Sequence, residues 1–246
     1  LPLASLSFFS AASMAVAVPT GIQVFAWLAT LWNGRPVLST PLLFILGFLF
    51  VFVLGGLTGV MVALVPFDWQ VHDTHFVVAH LHYVLFGGMV FPLFAGLYYW
   101  LPLVSGRRVS ALASRLVFWS IFIGFNLTFL PMHLTGLLGM PRRVYTYAEG
   151  LGWELLNLVS TIGGFLTAIG VAAFLVDFLL HWRFGTAAAP NPWNAGTLEW
   201  SIRSPVPPYN FASQPRVGER DPLWHAQPAG GYLEHLDARR REMLVT

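Results

Sequence analysis

The chain has 246 residues, of which 56% are hydrophobic and 10% charged, and its formal net charge is +2 at pH 7. Soluble domains carry about 25% charged residues, so this composition excludes an ordinary soluble protein and indicates an integral membrane protein. The small net charge gives no reason to expect a nucleic-acid partner. The chain contains no cysteine, which excludes disulfides, iron–sulfur ligation and a thiolate copper site within it.

Five apolar segments follow one another along the chain, and each reaches the roughly 20 residues that a helix needs to cross a bilayer. They lie near residues 3–31, 42–65, 76–104, 116–138 and 155–180. We therefore predict an all-α membrane protein with five transmembrane helices. The membrane part would occupy residues 1–183, because prolines accumulate in residues 184–246 and resist regular structure. We expect an irregular, extended tail that packs on the cytoplasmic face and carries at most a short helix near residues 232–244.

The arginines are divided unevenly between the two sides that the segments define. The side reached after the second and fourth segments carries only Arg142 and Arg143, whereas the side reached after the first, third and fifth segments carries Arg35, Arg107, Arg108, Arg115 and Arg183. Cytoplasmic loops carry an excess of basic residues. We therefore expect the larger group and the tail to be cytoplasmic, and the beginning of the first segment to face outward.

The first residues of the chain do not have the features of a protein's natural start. Leu1-Pro2-Leu3 includes neither an initiating methionine nor a basic region before the first apolar segment. We therefore expect no signal peptide here, and we expect the chain to continue a longer protein.

The third segment contains two histidines, His80 and His82, and ionisable residues within a membrane span usually mark a function. At about 100° per residue, side chains two positions apart leave a helix from roughly opposite faces. The imidazoles therefore do not suit one shared metal ion, but each suits the axial position of its own haem iron. The alternative is a pair of core histidines bonded to neighbouring helices. We interpret His75 and His133 as structural or interfacial.

Two further groups fall on the predicted outer side. His72 and Asp73 would suit a divalent cation such as Mg²⁺ if another chain or water completed the coordination. A capping aspartate before the helix is the alternative. Arg142 and Arg143 run against the positive-inside trend, and their planar guanidinium groups would pair well with haem propionates. They would otherwise be interfacial anchors.

The region around these histidines resembles a known family. His72-Asp73-Thr74 and the following Val77-Val78-Ala79-His80-Leu81-His82-Tyr83-Val84-Leu85 are similar to the motif of the haem–copper oxidase catalytic subunit, which is subunit I of aa3-type cytochrome c oxidases. Segments 19–21, 25–31, 55–59 and 139–143 support the likeness, and residues 191–200 resemble bacterial members. The resemblance covers essentially the whole chain.

The resemblance implies that the five helices are the last five of a twelve-helix bundle, and that the chain is a C-terminal fragment of the catalytic subunit. It implies a bacterial inner membrane protein whose partners are oxidase subunits II and III and, as electron donor, cytochrome c. It also implies that His80 ligates the high-spin haem at the oxygen site and His82 the low-spin haem. The other matching positions are His72 and Asp73 for magnesium, and Arg142 and Arg143 for the haem propionates.

The chain departs from the family pattern in several places. In the family, earlier helices carry the copper histidines, the tyrosine crosslinked to one of them and the second axial histidine of the low-spin haem. This chain alone is therefore not expected to reduce oxygen. Gln23 occupies the usual position of a proton-channel lysine, and a neutral amide cannot carry that charge, although Thr20 is present. Leu81 stands where a phenylalanine usually separates the two haem ligands.

These features lead to one main hypothesis and two alternatives. The chain would be the C-terminal part of an enzyme that reduces O2 to water with electrons from cytochrome c, coupled to proton translocation. A quinol oxidase of the same superfamily would have a similar catalytic subunit. A non-catalytic membrane scaffold or transporter segment would have histidines that bind nothing.

Overall fold

The computed structural model describes residues 2–32, 34–202, 204–211, 217 and 220–223. Within these residues the regular structure is helical and the only β-type pairings are isolated bridges. Five helical stretches are long and apolar enough to span a membrane, namely Leu3–Trp32, Thr40–Ala63, His75–Ser105, Ala111–Leu137 and Glu154–Phe184. The prediction of an all-α protein with five transmembrane helices is confirmed. The short helix expected near residues 232–244 lies outside the described residues.

The first span is two helices rather than one, α1 (Leu3–Ala15) and α2 (Ala17–Trp32). Pro19 has no N–H with which to bond the carbonyl group four residues earlier, so the helical hydrogen bonding is interrupted here. The Val16 N–H instead closes a tighter turn onto the Ser13 carbonyl at 3.3 Å. Continuous hydropathy predicted the length of this span but not the break within it.

The remaining helices of the spans have well-defined bounds. In chain order they are α3 (Thr40–Ala63), α4 (Val65–Val71), α5 (His75–Leu85), α6 (Phe91–Ser105), α7 (Ala111–Leu137) and α8 (Glu154–Phe184). A π-helical turn, Phe86–Val90, joins α5 to α6 within the third span. Such turns insert an extra residue into a helix and are frequent at functional sites.

Helix α5 lies between α3 and α7. Its buried face carries Phe76, Ala79 and Tyr83. A side chain at Gly55 of α3 would place its Cβ 2.9 Å from the Tyr83 carbonyl carbon, so only glycine permits this closeness. Close backbone contact with α3 at Gly55 and with α7 at Gly136 fixes the rotation of α5 about its axis, and therefore the directions in which its histidines point.

Contacts divide the chain into two units, which are described separately. The first comprises Leu1–Leu97 and Ala111–Val176, and it contains the histidines of α5. The second comprises Tyr98–Ser110 and the described residues from Asp177 onward.

The described part of the tail folds onto the end of α6 within the second unit. Trp200 is fully buried with Leu103 and Leu223, and its indole N–H donates to the Tyr99 hydroxyl at 2.9 Å. The Trp193 indole donates to the Tyr99 carbonyl at 2.8 Å. The described part of the tail is irregular, as predicted, with one 3-10 turn at Leu198–Ser201, and it packs through an aromatic core that it shares with Tyr99 and Leu103 of α6.

Candidate functional site

The ring of His80 is held against α3. Its Nδ1 lies 3.1 Å from the Gly55 carbonyl oxygen and 3.2 Å from the Thr58 hydroxyl. Among the described residues, the hydrogen bonds of this imidazole all involve Nδ1. An imidazole that bonds a carbonyl through Nδ1–H carries its lone pair on Nε2, which is the arrangement that metal-ligating histidines use.

Gly59 provides the space that the His80 ring occupies. A Cβ at residue 59 would lie 2.8 Å from His80 Cε1, whereas a Cβ at Gly56 would meet nothing within 4 Å. Real Cβ atoms do not approach so closely, so either the ring or the helix would have to move. Gly55, Thr58 and Gly59 are spaced three and four residues apart and therefore share one face of α3.

Replacing Gly59 by alanine is expected to displace the His80 ring and to lower the occupancy of any group bound to Nε2, because the added methyl group overlaps the ring. Gly56→Ala is the matched control on the same helix and should be neutral. Haem content and the haem spectrum of the full-length protein measure the difference. Equal spectra for the two variants would contradict this account of Gly59.

His82 points toward a different helix. Its ring stacks on Phe129 of α7 with centroids 4.1 Å apart and an interplanar angle of 14°. Its Nδ1 lies 2.8 Å from the Val78 carbonyl oxygen of its own helix. The structure thus places His80 against α3 and His82 against α7, with Nδ1 engaged in both imidazoles. This geometry agrees with the opposite faces expected from the sequence spacing.

The two loops predicted to share the outer side come together in the structure. Asp73 forms an ion pair with Arg142, and the Arg142 N–H donates to the Asp73 carbonyl at 2.9 Å. The His75 N–H donates to the Met140 carbonyl at 3.0 Å, which fixes the start of α5 to the segment after α7. Both groups of candidate residues therefore lie at the same end of the bundle.

The capping interpretation of Asp73 is wrong, since Thr74 is the residue that caps α5. The Thr74 hydroxyl accepts a hydrogen bond from the Phe76 N–H at 3.2 Å. Asp73 instead adopts a left-handed backbone, with φ of 57°, and directs its carboxylate to Arg142. The cap needs an oxygen directly before the helix, and threonine provides it one position later.

His72 lies between two carboxylates. Its Nδ1 is 3.4 Å from Asp68 and its Nε2 is 3.6 Å from Asp73. The described residues contain no group of three or more histidine, aspartate or glutamate side chains placed to hold a metal ion. A magnesium ion at His72 and Asp73 would therefore need ligands from water or another chain.

Arg142 and Arg143 differ in their surroundings. The Nε of Arg142 is buried and has no hydrogen-bond partner among the described residues, so this guanidinium group has a donor to spare after it pairs with Asp73. Arg143 is exposed, and its φ of 67° places it in the left-handed region. A buried unpaired donor is costly unless a ligand or water satisfies it.

His133 has a more interior position than the sequence indicates. Both of its ring nitrogens are buried and have no hydrogen-bond partner among the described residues. The ring packs edge-on against Phe76 and Tyr83, with centroids 5.0 Å and 5.2 Å away. The Tyr83 hydroxyl donates to Asn126 at 2.8 Å. These polar groups follow the interface between α5 and α7, which sequence spacing within one helix cannot identify.

A family model described as "Cytochrome C and Quinol oxidase polypeptide I" matches residues 1–166. The chain belongs to this family. The match includes α5 with both of its histidines, the Gly55–Gly59 face of α3 and the loop that carries Arg142.

Several curated relatives are similar to this member of the oxidase polypeptide I family. A cytochrome c oxidase subunit 1 from Alkalihalophilus pseudofirmus is 47% identical, over 91% of this chain and 36% of its own length. A probable cytochrome c oxidase subunit 1-beta from Nocardia farcinica is 46% identical, over 96% and 40%. A quinol oxidase subunit 1 from Bacillus subtilis is 42% identical, over 89% and 34%. The chain thus spans well under half of each relative.

The fold has a counterpart among solved structures. A chain from a cryo-EM structure of a haem–copper terminal oxidase dimer matches with a TM-score of 0.64 and 20% identity, over 77% of this chain and 38% of that one. At this identity the likeness concerns the fold. The oxidase family member described here is therefore a multi-pass membrane protein with the helical arrangement of part of that larger chain.

Proposed function

We propose that the chain is the C-terminal part of the catalytic subunit of a terminal respiratory oxidase. The full-length enzyme would reduce O2 to water with electrons from cytochrome c and translocate protons. The observation that supports this best is the geometry of α5, because His80 and His82 face different helices and both engage Nδ1 in hydrogen bonds. Nε2 of each ring is thereby left to ligate a haem iron.

The residues fit two haems. His80 would bind the high-spin haem and His82 the low-spin haem, and Gly59 leaves the space that the His80 ring needs. The unpartnered Nε of Arg142 is suited to a propionate oxygen, and Arg143 would add a second positive charge. When bound, the haems carry the electrons and, with copper held by earlier helices, supply the oxygen chemistry.

In this proposal the residues of this chain orient the iron-ligating histidines and neutralise the haem propionates. The Gly55 carbonyl would keep the proton of His80 on Nδ1, and the stacked Phe129 would hold the His82 ring plane. Arg142 would partly neutralise the propionates while Asp73 orients its guanidinium group. The apolar packing of α5 against α3 and α7 would exclude water from both iron ligands.

We also propose the membrane in which the enzyme lies and the proteins with which it works. The enzyme would lie in a bacterial inner membrane with subunits II and III and would receive electrons from cytochrome c. Residues 1–183 would form its membrane part and residues 184–246 a cytoplasmic tail. The outward end of the bundle would carry His72, Asp73 and Arg142.

A reduced-minus-oxidised spectrum of the full-length protein, purified with its partner subunits, tests the function. Bands from two haem environments, together with oxygen consumption driven by reduced cytochrome c, are expected. Oxygen consumption driven only by quinol would favour the second candidate, which the 42% identical quinol oxidase subunit 1 supports. A protein without haem would contradict both oxidase proposals and favour a scaffold.

We also propose a magnesium ion at His72 and Asp73, completed by water or subunit II. Asp73→Asn is expected to lower the magnesium content of the purified complex, because a neutral amide binds a hard cation more weakly than a carboxylate. Metal analysis of the complex measures this, with Glu149→Gln as a control on another outer loop. Equal magnesium in the Asp73 variant and the unaltered complex would contradict the site.

A further inference from the structure

Two oxygen atoms of α3 lie close to Nδ1 of His80. The Thr58 hydroxyl lies 3.2 Å from Nδ1 and 3.0 Å from the Gly55 carbonyl oxygen. The same carbonyl oxygen lies 3.1 Å from Nδ1. The Thr58 hydroxyl, the Gly55 carbonyl oxygen and Nδ1 of His80 are therefore all within hydrogen-bonding distance of one another.

The position of the Thr58 hydroxyl differs from that of Thr128 and Thr161, although Thr135 of α7 likewise bonds a carbonyl three residues earlier and lies near a histidine, His75. The hydroxyls of Thr128 and Thr161 bond the carbonyl four residues earlier at 2.8 Å, which is the usual arrangement for a threonine in a helix. The corresponding distance for Thr58, to the Leu54 carbonyl, is 3.3 Å. The Thr58 hydroxyl therefore lies further from the Leu54 carbonyl than is usual and closer to the Gly55 carbonyl and His80.

Counting protons defines the role of each group. A hydroxyl has one proton to donate and two lone pairs that accept. If Nδ1 of His80 carries the ring proton, the Thr58 hydroxyl accepts from it and donates its own proton to the Gly55 or Leu54 carbonyl. The Nδ1 proton is then shared between two oxygens, the Gly55 carbonyl and the Thr58 hydroxyl.

We propose that Thr58 is a positioning residue for His80, whose hydroxyl accepts part of the Nδ1 hydrogen bond and so makes Nε2 a stronger donor to the high-spin haem iron. This inference rests on the proposed haem ligation by His80. Hydrogen bonds to the outer nitrogen of a ligating histidine fix the ring and raise the basicity of the ligand. Gly59, one residue further along the helix, leaves room for the ring in this orientation.

The experiment compares variants of the full-length enzyme, purified with its partner subunits. Thr58→Val removes the hydroxyl and keeps the shape, Thr58→Ser keeps the hydroxyl, and Thr161→Val is the matched control on α8. Resonance Raman spectra of the reduced high-spin haem report the iron–histidine stretching frequency, and redox titration reports its midpoint potential. Both readouts are independent of turnover.

We expect Thr58→Val to lower the iron–histidine frequency and to raise the midpoint potential, because a weaker donor stabilises the ferric state less. Thr58→Ser and Thr161→Val should match the unaltered enzyme. Thr58→Ala removes the hydroxyl without a new methyl contact, and it serves as the second variant should Thr58→Val fail to assemble.

Two results would separate the possible failures. Identical frequencies and potentials in the unaltered enzyme and in a hydroxyl-free variant would overturn the role of Thr58 while leaving His80 as the ligand. The absence of any iron–histidine band in the unaltered enzyme would instead overturn the proposed ligation by His80.

Discussion

Replacing His80 by alanine in the full-length enzyme is expected to remove the high-spin haem spectrum and reduce oxygen consumption to background, while the low-spin haem is retained. His82→Ala is expected to give the reverse spectral loss. The reason is geometric, since His80 is bonded to α3 and His82 is stacked on α7. Each variant should therefore disturb one ligand site and leave the other in place. Reduced-minus-oxidised spectra of the two purified variants measure this.

His75→Ala is the control for this pair. His75 begins the same helix, and its Nδ1 lies 3.4 Å from the Thr135 hydroxyl, but it has no proposed ligand role. The His75→Ala variant should therefore retain the spectra of both haems. Loss of the same haem from the His80 and His82 variants would contradict the assignment of two separate centres.

Replacing Trp200 by alanine is expected to release the tail from the end of α6. Trp200 is fully buried, and truncating a buried tryptophan costs about 3–5 kcal/mol. The Tyr99 hydroxyl would also lose the indole hydrogen bond. Since about 1.4 kcal/mol is a factor of ten in an equilibrium constant, the population of detached tail should rise about 100-fold or more. Limited proteolysis of the solubilised full-length protein measures the cleavage rate in residues 190–211.

The matched control for Trp200 is Tyr209→Ala in the same tail. Tyr209 is 62% exposed, so its removal should leave the cleavage rate close to that of the unaltered protein. Trp200→Phe should give an intermediate rate, because it keeps most of the apolar volume but not the N–H. Similar rates in Trp200→Ala and Tyr209→Ala would show that the aromatic core does not hold the tail.

Hydropathy predicted the five membrane spans because the bilayer imposes one length and one composition on each of them. The opposite directions of His80 and His82 followed from helix geometry alone, because they depend on angle within a single helix. The break at Val16 was missed, although Pro19 marks it in the sequence. A hydropathy window averages over such a residue.

The residues that contact the His80 ring could not be predicted from the sequence. Thr58 and Gly59 lie more than twenty residues before His80, and only the packing of α3 on α5 brings them to its ring. The segment 55–59 was noted as part of a family likeness without any chemical role. The core around Trp200 was missed for the same reason, since its partners in α6 are about a hundred residues away in the chain.

The π-helical turn at Phe86–Val90 restricts which insertions and deletions this membrane span can accept. An extra residue in a helix rotates everything beyond it by about 100° relative to everything before it. Deleting one residue from this turn would leave His80 and His82 pointing toward α3 and α7, because they precede the turn. It would rotate Phe91 and Phe94, which follow the turn, out of their buried positions. Homologues that differ in length are therefore expected to vary in their loops and to conserve the residue count between His82 and Phe91.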